Sequence, residues 1–448
     1  MADNIVRKAL VVLAGVLALL LLLAMCAGGK DEKDEGADQG GKAGGKPPQQ
    51  SQAKGGGPDT RLEVPAAYDT AKGWEISGVS EQFAVAQAAG RIAYAEQVGK
   101  DRFRIRAVDA RTGKRIWQGE PWRPLADRPA GFPRLVALAK DGRQYFATWS
   151  FGKFAADPLS EADKIVSLDL YDAADGTRQR VELPWSEAPA VSGSGPGLLI
   201  GKGTTRAAVI DPVTGRTAKY GPADLAYPKG CKNCHRLTEV RALTGKGLLI
   251  SGAGEFWVRG AWHARKVAPK GADPGSGTPT SVTGDRVLAK WGKKKGGKGA
   301  ADFDLWAVHD AADGKVLASV QCHKPAIEPG RYPDAVLSPG GRYLVAGNLA
   351  FDLAEKAGHC FEEDGVAKSL TLTTVTDQGL AYGATGARSA DDALAGGGTP
   401  VEVPLDTAEP KALSPSLRLP AYDLGETGIF RWADGTDVQH LIGYARRP

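Results

Sequence analysis

A five-residue turn that recurs along the chain constrains its fold more than any other feature. Asp109-Ala-Arg-Thr-Gly113, Asp172-Ala-Ala-Asp-Gly176, Asp211-Pro-Val-Thr-Gly215 and Asp310-Ala-Ala-Asp-Gly314 each join two apolar runs. An Asp side chain accepts hydrogen bonds from backbone amides two residues on, and Gly takes positive φ freely; together they make a tight strand-to-strand turn. The same hairpin is therefore built repeatedly. The copies fit units of about 50 residues, with one degenerate turn in the widest gap. That predicts an all-β fold, a β-propeller of about eight four-stranded blades, with seven the alternative if one weak group is an insertion.

The runs between the turns support this reading. From Glu63 onward, short β-like segments alternate with Gly, Asp and Pro, the pattern of an all-β chain. Phe83–Ala86, Arg91–Ala95, Arg102–Val108 and Lys114–Trp117 form one blade; comparable groups span Leu135–Leu183, Ala190–Tyr220, Leu237–Val267, Thr280–Val320, Ala335–Phe361 and Leu370–Leu413. Near the C-terminus, Gly428–Trp432 and His440–Tyr444 supply only two strands. Leu62–Val64 and Trp74–Ser77 are expected to complete that sheet, pairing the two ends of a propeller placed at residues 61–448 and leaving no open edge.

The N-terminus follows different rules. Ala9–Met25 is an unbroken apolar run with Arg7 and Lys8 before it and the net-acidic Lys30–Glu35 after it. It is long enough to cross a bilayer as a helix, and the charge bias leaves residues 1–8 in the cytoplasm and the body outside. Leu23-Ala-Met-Cys26 also resembles a bacterial lipobox, although Met25 stands where a small residue is usual. Residues 9–26 are thus a signal anchor or a lipoprotein signal with Cys26 as the lipidation site. Either tethers an extracytoplasmic body to the cell membrane. Residues 27–60 have almost no apolar side chains and are expected to form a disordered linker spanning about 30 Å.

Ala107-Val-Asp-Ala-Arg-Thr-Gly-Lys-Arg-Ile-Trp117 is similar to the repeat of pyrroloquinoline-quinone (PQQ)-like propellers, Ala-x-Asp-x-x-Thr-Gly-x-x-x-Trp. In that family the Trp packs between neighbouring blades and the turn fixes its position. Asp211–Arg216 keeps the turn but reaches Tyr220 instead of Trp, and Asp310–Leu317 ends in an aliphatic residue. The family includes quinoprotein dehydrogenases, which hold the cofactor over a central Trp, bind Ca²⁺ through acidic and amide side chains, and often carry an adjacent Cys-Cys disulfide. This chain has no Cys-Cys pair and no acidic cluster assignable to a metal. With these departures, the apolar run and an Ala, Gly, Arg and Asp usage of high-GC Gram-positive kind, the expectation is a non-catalytic, membrane-anchored or lipoprotein member of actinobacterial type. Such a protein would use no cofactor and would bind or scaffold an envelope protein or a cell-wall partner. A quinone- or haem-dependent redox protein and the sensor domain of an envelope signalling system are the alternatives.

Other local signals carry chemistry of their own. Cys231-Lys-Asn-Cys234-His235 has the spacing of c-type haem attachment, yet no Met follows residue 25 to supply a second axial ligand. A short-loop disulfide is the preferred reading, with haem, zinc or redox exchange as alternatives. Cys322 and Cys360 lie about one repeat apart, which favours an inter-blade disulfide; with His323 and His359 they also make a Cys₂His₂ zinc set. Lys290-Trp-Gly-Lys-Lys-Lys-Gly-Gly-Lys298 is a basic loop, solvated or in contact with an anionic surface through Lys290, Lys293, Lys294, Lys295 and Lys298, with its Trp interfacial. Lys+Arg 57 against Asp+Glu 52 gives no reason to expect a nucleic-acid partner. No Gly-x-Ser-x-Gly, phosphate-binding Gly loop or His-Glu-x-x-His is present, so no catalytic residue is assigned.

Overall fold

Each recurring turn closes in the same way. The carbonyl oxygens of Asp109, Asp172, Asp211 and Asp310 accept the amides of Gly113, Gly176, Gly215 and Gly314 at 2.8–2.9 Å. Each Asp Oδ1 accepts a second amide within the turn, from Thr112 (2.9 Å), Ala174, Val213 and Ala312 (2.8 Å each). The other carboxylate oxygen of Asp109 takes Arg91 Nη1 at 2.8 Å, from the neighbouring strand one place further in. Arg143 holds Asp172 in the same manner. These bonds pair both carboxylates, part-buried in Asp109 and buried in Asp172, with a guanidinium.

The computed structural model describes residues 50–51, 57–80, 82–125, 133–154, 163–202, 206–228, 237–363 and 368–448. The run 9–26 with Cys26, most of the linker, and Cys231, Cys234 and His235 lie outside them. Among the described residues no helix is long and apolar enough to cross a membrane.

The strands form eight antiparallel sheets, seven of them four-stranded, each meandering in sequence order. The protein is an eight-bladed β-propeller. Numbered along the chain, blade 1 runs from Phe83–Ala86 to Arg115–Gln118 and blade 2 from Arg134–Lys140 to Arg178–Pro184. Blade 3 runs from Ala190–Ser192 to Thr217–Tyr220, and blade 4 from Glu239–Thr244 to Trp262–His263. Blade 5 spans Thr278–Thr283 to Val316–His323, blade 6 Val336–Leu337 to Ala357–Cys360, and blade 7 Leu370–Val375 to Lys411–Ala412. In every one of these blades the first strand is the innermost and the fourth the outermost.

Blade 8 closes the ring with both ends of the chain. Its inner three strands are Tyr422–Asp423, Thr427–Ala433 and Gln439–Arg446, and its fourth is Tyr68–Ser77. Gln50–Ser51 adds a fifth by pairing with Ile76 and Glu75. The expectation that Leu62–Val64 completes this sheet is therefore corrected. Leu62 instead donates its amide to Tyr444 Oη (2.9 Å), Glu63 accepts the Arg418 amide (2.7 Å), and the side chains of Leu62 and Val64 pack on the core. Pro65, just beyond, has no amide for a ladder. The closure is locked from inside: Tyr68 Oη donates to Asp423 Oδ2 at 2.7 Å, and Arg446 Nη1 to the same oxygen at 2.9 Å. Burial raises the Asp423 carboxyl above its usual range, as it must where desolvation outweighs one guanidinium.

The core is divided among the blade boundaries. Eight apolar clusters among the described residues correspond to the eight boundaries, each drawn from two adjacent blades. Strand alternation produces them. Val287, Ala289 and Trp291 point one way from blade 5, into the cluster shared with blade 4, while Leu288 points the other way, into the cluster shared with blade 6.

Candidate functional site

Three of these boundaries are sealed by an indole. Trp74, Trp117 and Trp262 lie on the fourth strands of their blades, and each Nε1 donates to a carbonyl in the next blade: Ala110 (2.9 Å), Ala173 (3.0 Å) and Ala311 (3.0 Å). Each acceptor is the residue after the turn Asp. The ring then covers the turn Gly so closely that a Cβ on Gly113, Gly176 or Gly314 would stand 2.5, 2.6 or 2.7 Å from it. Trp117 also stacks on Tyr171 (5.6 Å, 14°) and Trp262 on His309 (6.2 Å, 23°), the residues just before the turn Asp. Turn and tryptophan therefore match across a blade boundary. The Asp310 copy, which has no Trp of its own, is covered by Trp262 of the preceding blade.

Strand register locates the same position elsewhere. Trp117 lies opposite Ala107, two residues before Asp109. Its counterparts are Gln179 opposite Leu170, Ala218 opposite Val209, Ala318 opposite Val308, His359 opposite Ala350 and Lys411 opposite Glu402. The turn itself also continues where its sequence does not. In blade 6 Asp352 accepts the amides of Ala354 (2.9 Å) and Glu355 (3.1 Å), with Lys356 at φ 56° in the glycine place. In blade 7 Pro404 accepts the amide of Ala408 (2.8 Å), which has φ 56°.

Between blades 6 and 7, where His359 replaces an indole, a cleft of about 670 Å³ opens. Ala357 and His359 form the blade 6 wall, with Arg342, Tyr343, Asp352 and Glu355 beside them; Gln378, Gly379, Leu380, Pro404, Leu405 and Asp406 form the blade 7 wall. Arg342 is committed within its blade. Its Nη2 donates to Asp352 Oδ2 at 2.7 Å, its Nε reaches both carboxylate oxygens at 3.1 and 3.2 Å, and its guanidinium lies 4.9 Å over the Tyr343 ring. That bond is the main reason the Asp352 carboxyl is held below its usual range, against the opposing effect of burial. Asp406 is exposed, and its Oδ1 accepts only the neighbouring Thr407 amide, at 2.9 Å, among the described residues. Glu355 is exposed too, 3.9 Å from Arg342. The cleft offers acceptors and net negative charge.

The remaining sequence-predicted residues separate. Cys322 and Cys360 are joined as a disulfide, Cα atoms 5.8 Å apart, linking the outer strands of blades 5 and 6. Glu362 lies beside the two sulfurs. His323 Nδ1 is 2.5 Å from Glu362 Oε1 and its ring lies 4.0 Å from Phe303, whereas His359 faces the cleft. The Cys₂His₂ set is not assembled, because adjacent strand residues point to opposite faces. In the basic loop Lys290 is largely buried, paired with Glu328 and 3.6 Å from Asp304. Lys293 Nζ donates to Lys298 O and Gln321 Oε1, both at 2.7 Å. Lys294, Lys295 and Lys298 are exposed, but Trp291 is 0% exposed and is corrected from an interfacial to a core residue.

A quinone held over a central Trp does not fit this ring. The described innermost strands contain no Trp. Their acidic residues are engaged, Glu239 with Arg241 (3.0 Å) and Asp423 with Tyr68 and Arg446.

No protein-family model matches the chain, and no curated protein matches it. Similar solved structures include the Cps50 (Swd1) β-propeller domain of Myceliophteria thermophila, at TM-score 0.38 and 11% identity over 83% of this chain and 97% of that one. Dihydro-heme d1 dehydrogenase NirN in complex with DHE is similar at TM-score 0.38 and 12% identity, over 79% of this chain and 72% of that one.

Proposed function

We propose that this chain is a membrane-tethered, extracytoplasmic propeller that binds or scaffolds another component of the cell envelope, as a non-catalytic relative of PQQ-like propellers. The observation that carries the binding reading is the cleft between blades 6 and 7, where His359 holds the place that an indole fills at three other boundaries. The tether rests on the apolar run Ala9–Met25 and its flanking charges. Kinship with the PQQ-like repeat draws support from the three indole-to-turn contacts.

The test uses the full chain in cells. The protein is expected to stay with membranes through alkaline extraction and to be digested by protease added outside intact protoplasts. Release by alkali, or protection of the body, refutes the tethered reading. Affinity capture from solubilised envelope tests the scaffold itself, and recovery of no specific partner counts against it.

A further inference from the structure

We propose that the cleft between blades 6 and 7 receives the side chain of an Arg or Lys from a basic peptide segment; this rests on the binding-module reading and names its ligand class. At about 670 Å³ the cleft is within the range of sites that enclose small ligands, and it has room for a long side chain with the peptide on either side.

Hydrogen-bonding logic points to a donor. At the indole-sealed boundaries the carbonyls of Ala110, Ala173 and Ala311 each receive an N–H from the preceding blade. Leu405 holds the equivalent place in blade 7, its amide bonded to Gly379 O at 2.8 Å as the Ala110 amide is to Gly90 O at 2.9 Å. Among the described residues no hydrogen bond reaches the Leu405 carbonyl oxygen. A guanidinium or ammonium N–H supplies the donor that the missing indole would have given.

Charge selects a cation. Arg342 is already neutralised by Asp352, which leaves Glu355 and Asp406 at the rim. An anion entering here would meet those carboxylates without a free positive partner, whereas a guanidinium gains charge-assisted hydrogen bonds. Shape excludes the obvious competitor, an aromatic side chain. Ala408 carries a Cβ in the place where Gly113, Gly176 and Gly314 allow an indole to lie flat. A flexible cationic chain passes where a flat ring is blocked.

The experiment measures fluorescence anisotropy of dansylated Gly-Arg-Gly amide with the full chain in detergent, against the citrulline peptide, which keeps the shape and loses the charge. The Arg peptide is expected to bind about tenfold tighter than its citrulline counterpart, and Glu355→Gln and Asp406→Asn each to weaken it several-fold. The double variant His359→Trp with Ala408→Gly is expected to seal the cleft, abolishing binding while its thermal midpoint rises. Equal affinity for the two peptides, or Arg-peptide affinity unchanged in Glu355→Gln and Asp406→Asn, overturns the proposal. So does binding retained by a folded double variant, which would leave a binding module with its site elsewhere. Absence of any peptide binding overturns the cleft assignment alone, and envelope capture then decides the wider reading. Should the double variant fail to fold, the two exposed-carboxylate variants settle the matter.

Discussion

The boundary between blades 4 and 5 and the boundary between blades 6 and 7 share one backbone plan and differ in what fills it. At the first, Trp262 covers Gly314, bonds to Ala311 O and stacks on His309. At the second, His359 and Ala408 hold the matching places, and the space between the blades is open to solvent. Ala408 and Lys356 adopt φ 56° without being glycine. Positive φ is therefore not what reserves the fifth turn position for Gly in the sealed boundaries; the close approach of the indole is. Between blades 5 and 6, where Ala318 holds the docking place, the Cys322–Cys360 bond spans the outer strands instead.

The contrast is broken most directly by Trp262→Ala. Removing this buried indole is expected to cost about 3–5 kcal/mol in urea denaturation, whereas His359→Ala, at the open boundary, is expected to cost less than about 1 kcal/mol. Equal costs would erase the distinction between sealed and open boundaries.

A second expectation concerns His309, beneath Trp262. Its ring is wholly buried, Nδ1 lies 2.8 Å from Gly314 O, and burial lowers its pKa from 6.5 to about 4. The fold favours neutral imidazole, so the unfolded chain takes up the proton first as pH falls. Stability from this site is full above about pH 6.5, declines through the window to about 4, and levels off below it, a loss of about 3 kcal/mol. Denaturation midpoints measured across that window should flatten in His309→Phe. An unaltered slope would mean that other groups set the acid limit.

Smaller still is the effect of the turn Gly. Gly176→Ala, whose added Cβ would meet the Trp117 ring, is expected to cost about 1–3 kcal/mol, with most of that cost absent in a Trp117→Ala background. Ala408→Gly should change stability by less than about 1 kcal/mol. Strictly additive costs of Gly176→Ala and Trp117→Ala would return the explanation to backbone conformation.

These differences also mark what was legible in sequence. The blades were readable because an Asp-to-Gly turn is local chemistry, contained in five residues. The partner of each turn was not, because Trp262 serves Asp310–Gly314 from a different blade. The turns at Asp352–Lys356 and Pro404–Ala408 lack Gly, and the second has Pro where the leading Asp would stand, so the cleft they frame gave no signal. Trp291 was misread from its lysine neighbours, although alternation with Val287 and Ala289 already put it on the buried side. Leu62–Val64 looked like a strand by composition, but Pro65 and the tie to Tyr444 hold it off the ladder. His359 drew attention as a metal ligand beside Cys360. Only strand pairing shows that it occupies the indole's place.

The lock formed by Tyr68, Asp423 and Arg446 also sets a clock. Tyr68 and Asp423 are 355 residues apart, which at about 5–20 residues per second takes roughly 20–70 s to synthesise. For that interval Tyr68–Ser77 lacks its inner neighbour, Gln439–Arg446, and blade 8 cannot close. A chain cut short before Gln439 therefore keeps Tyr68–Ser77 without its ladder partner, and such truncation is expected to expose a sheet edge however well the other blades form.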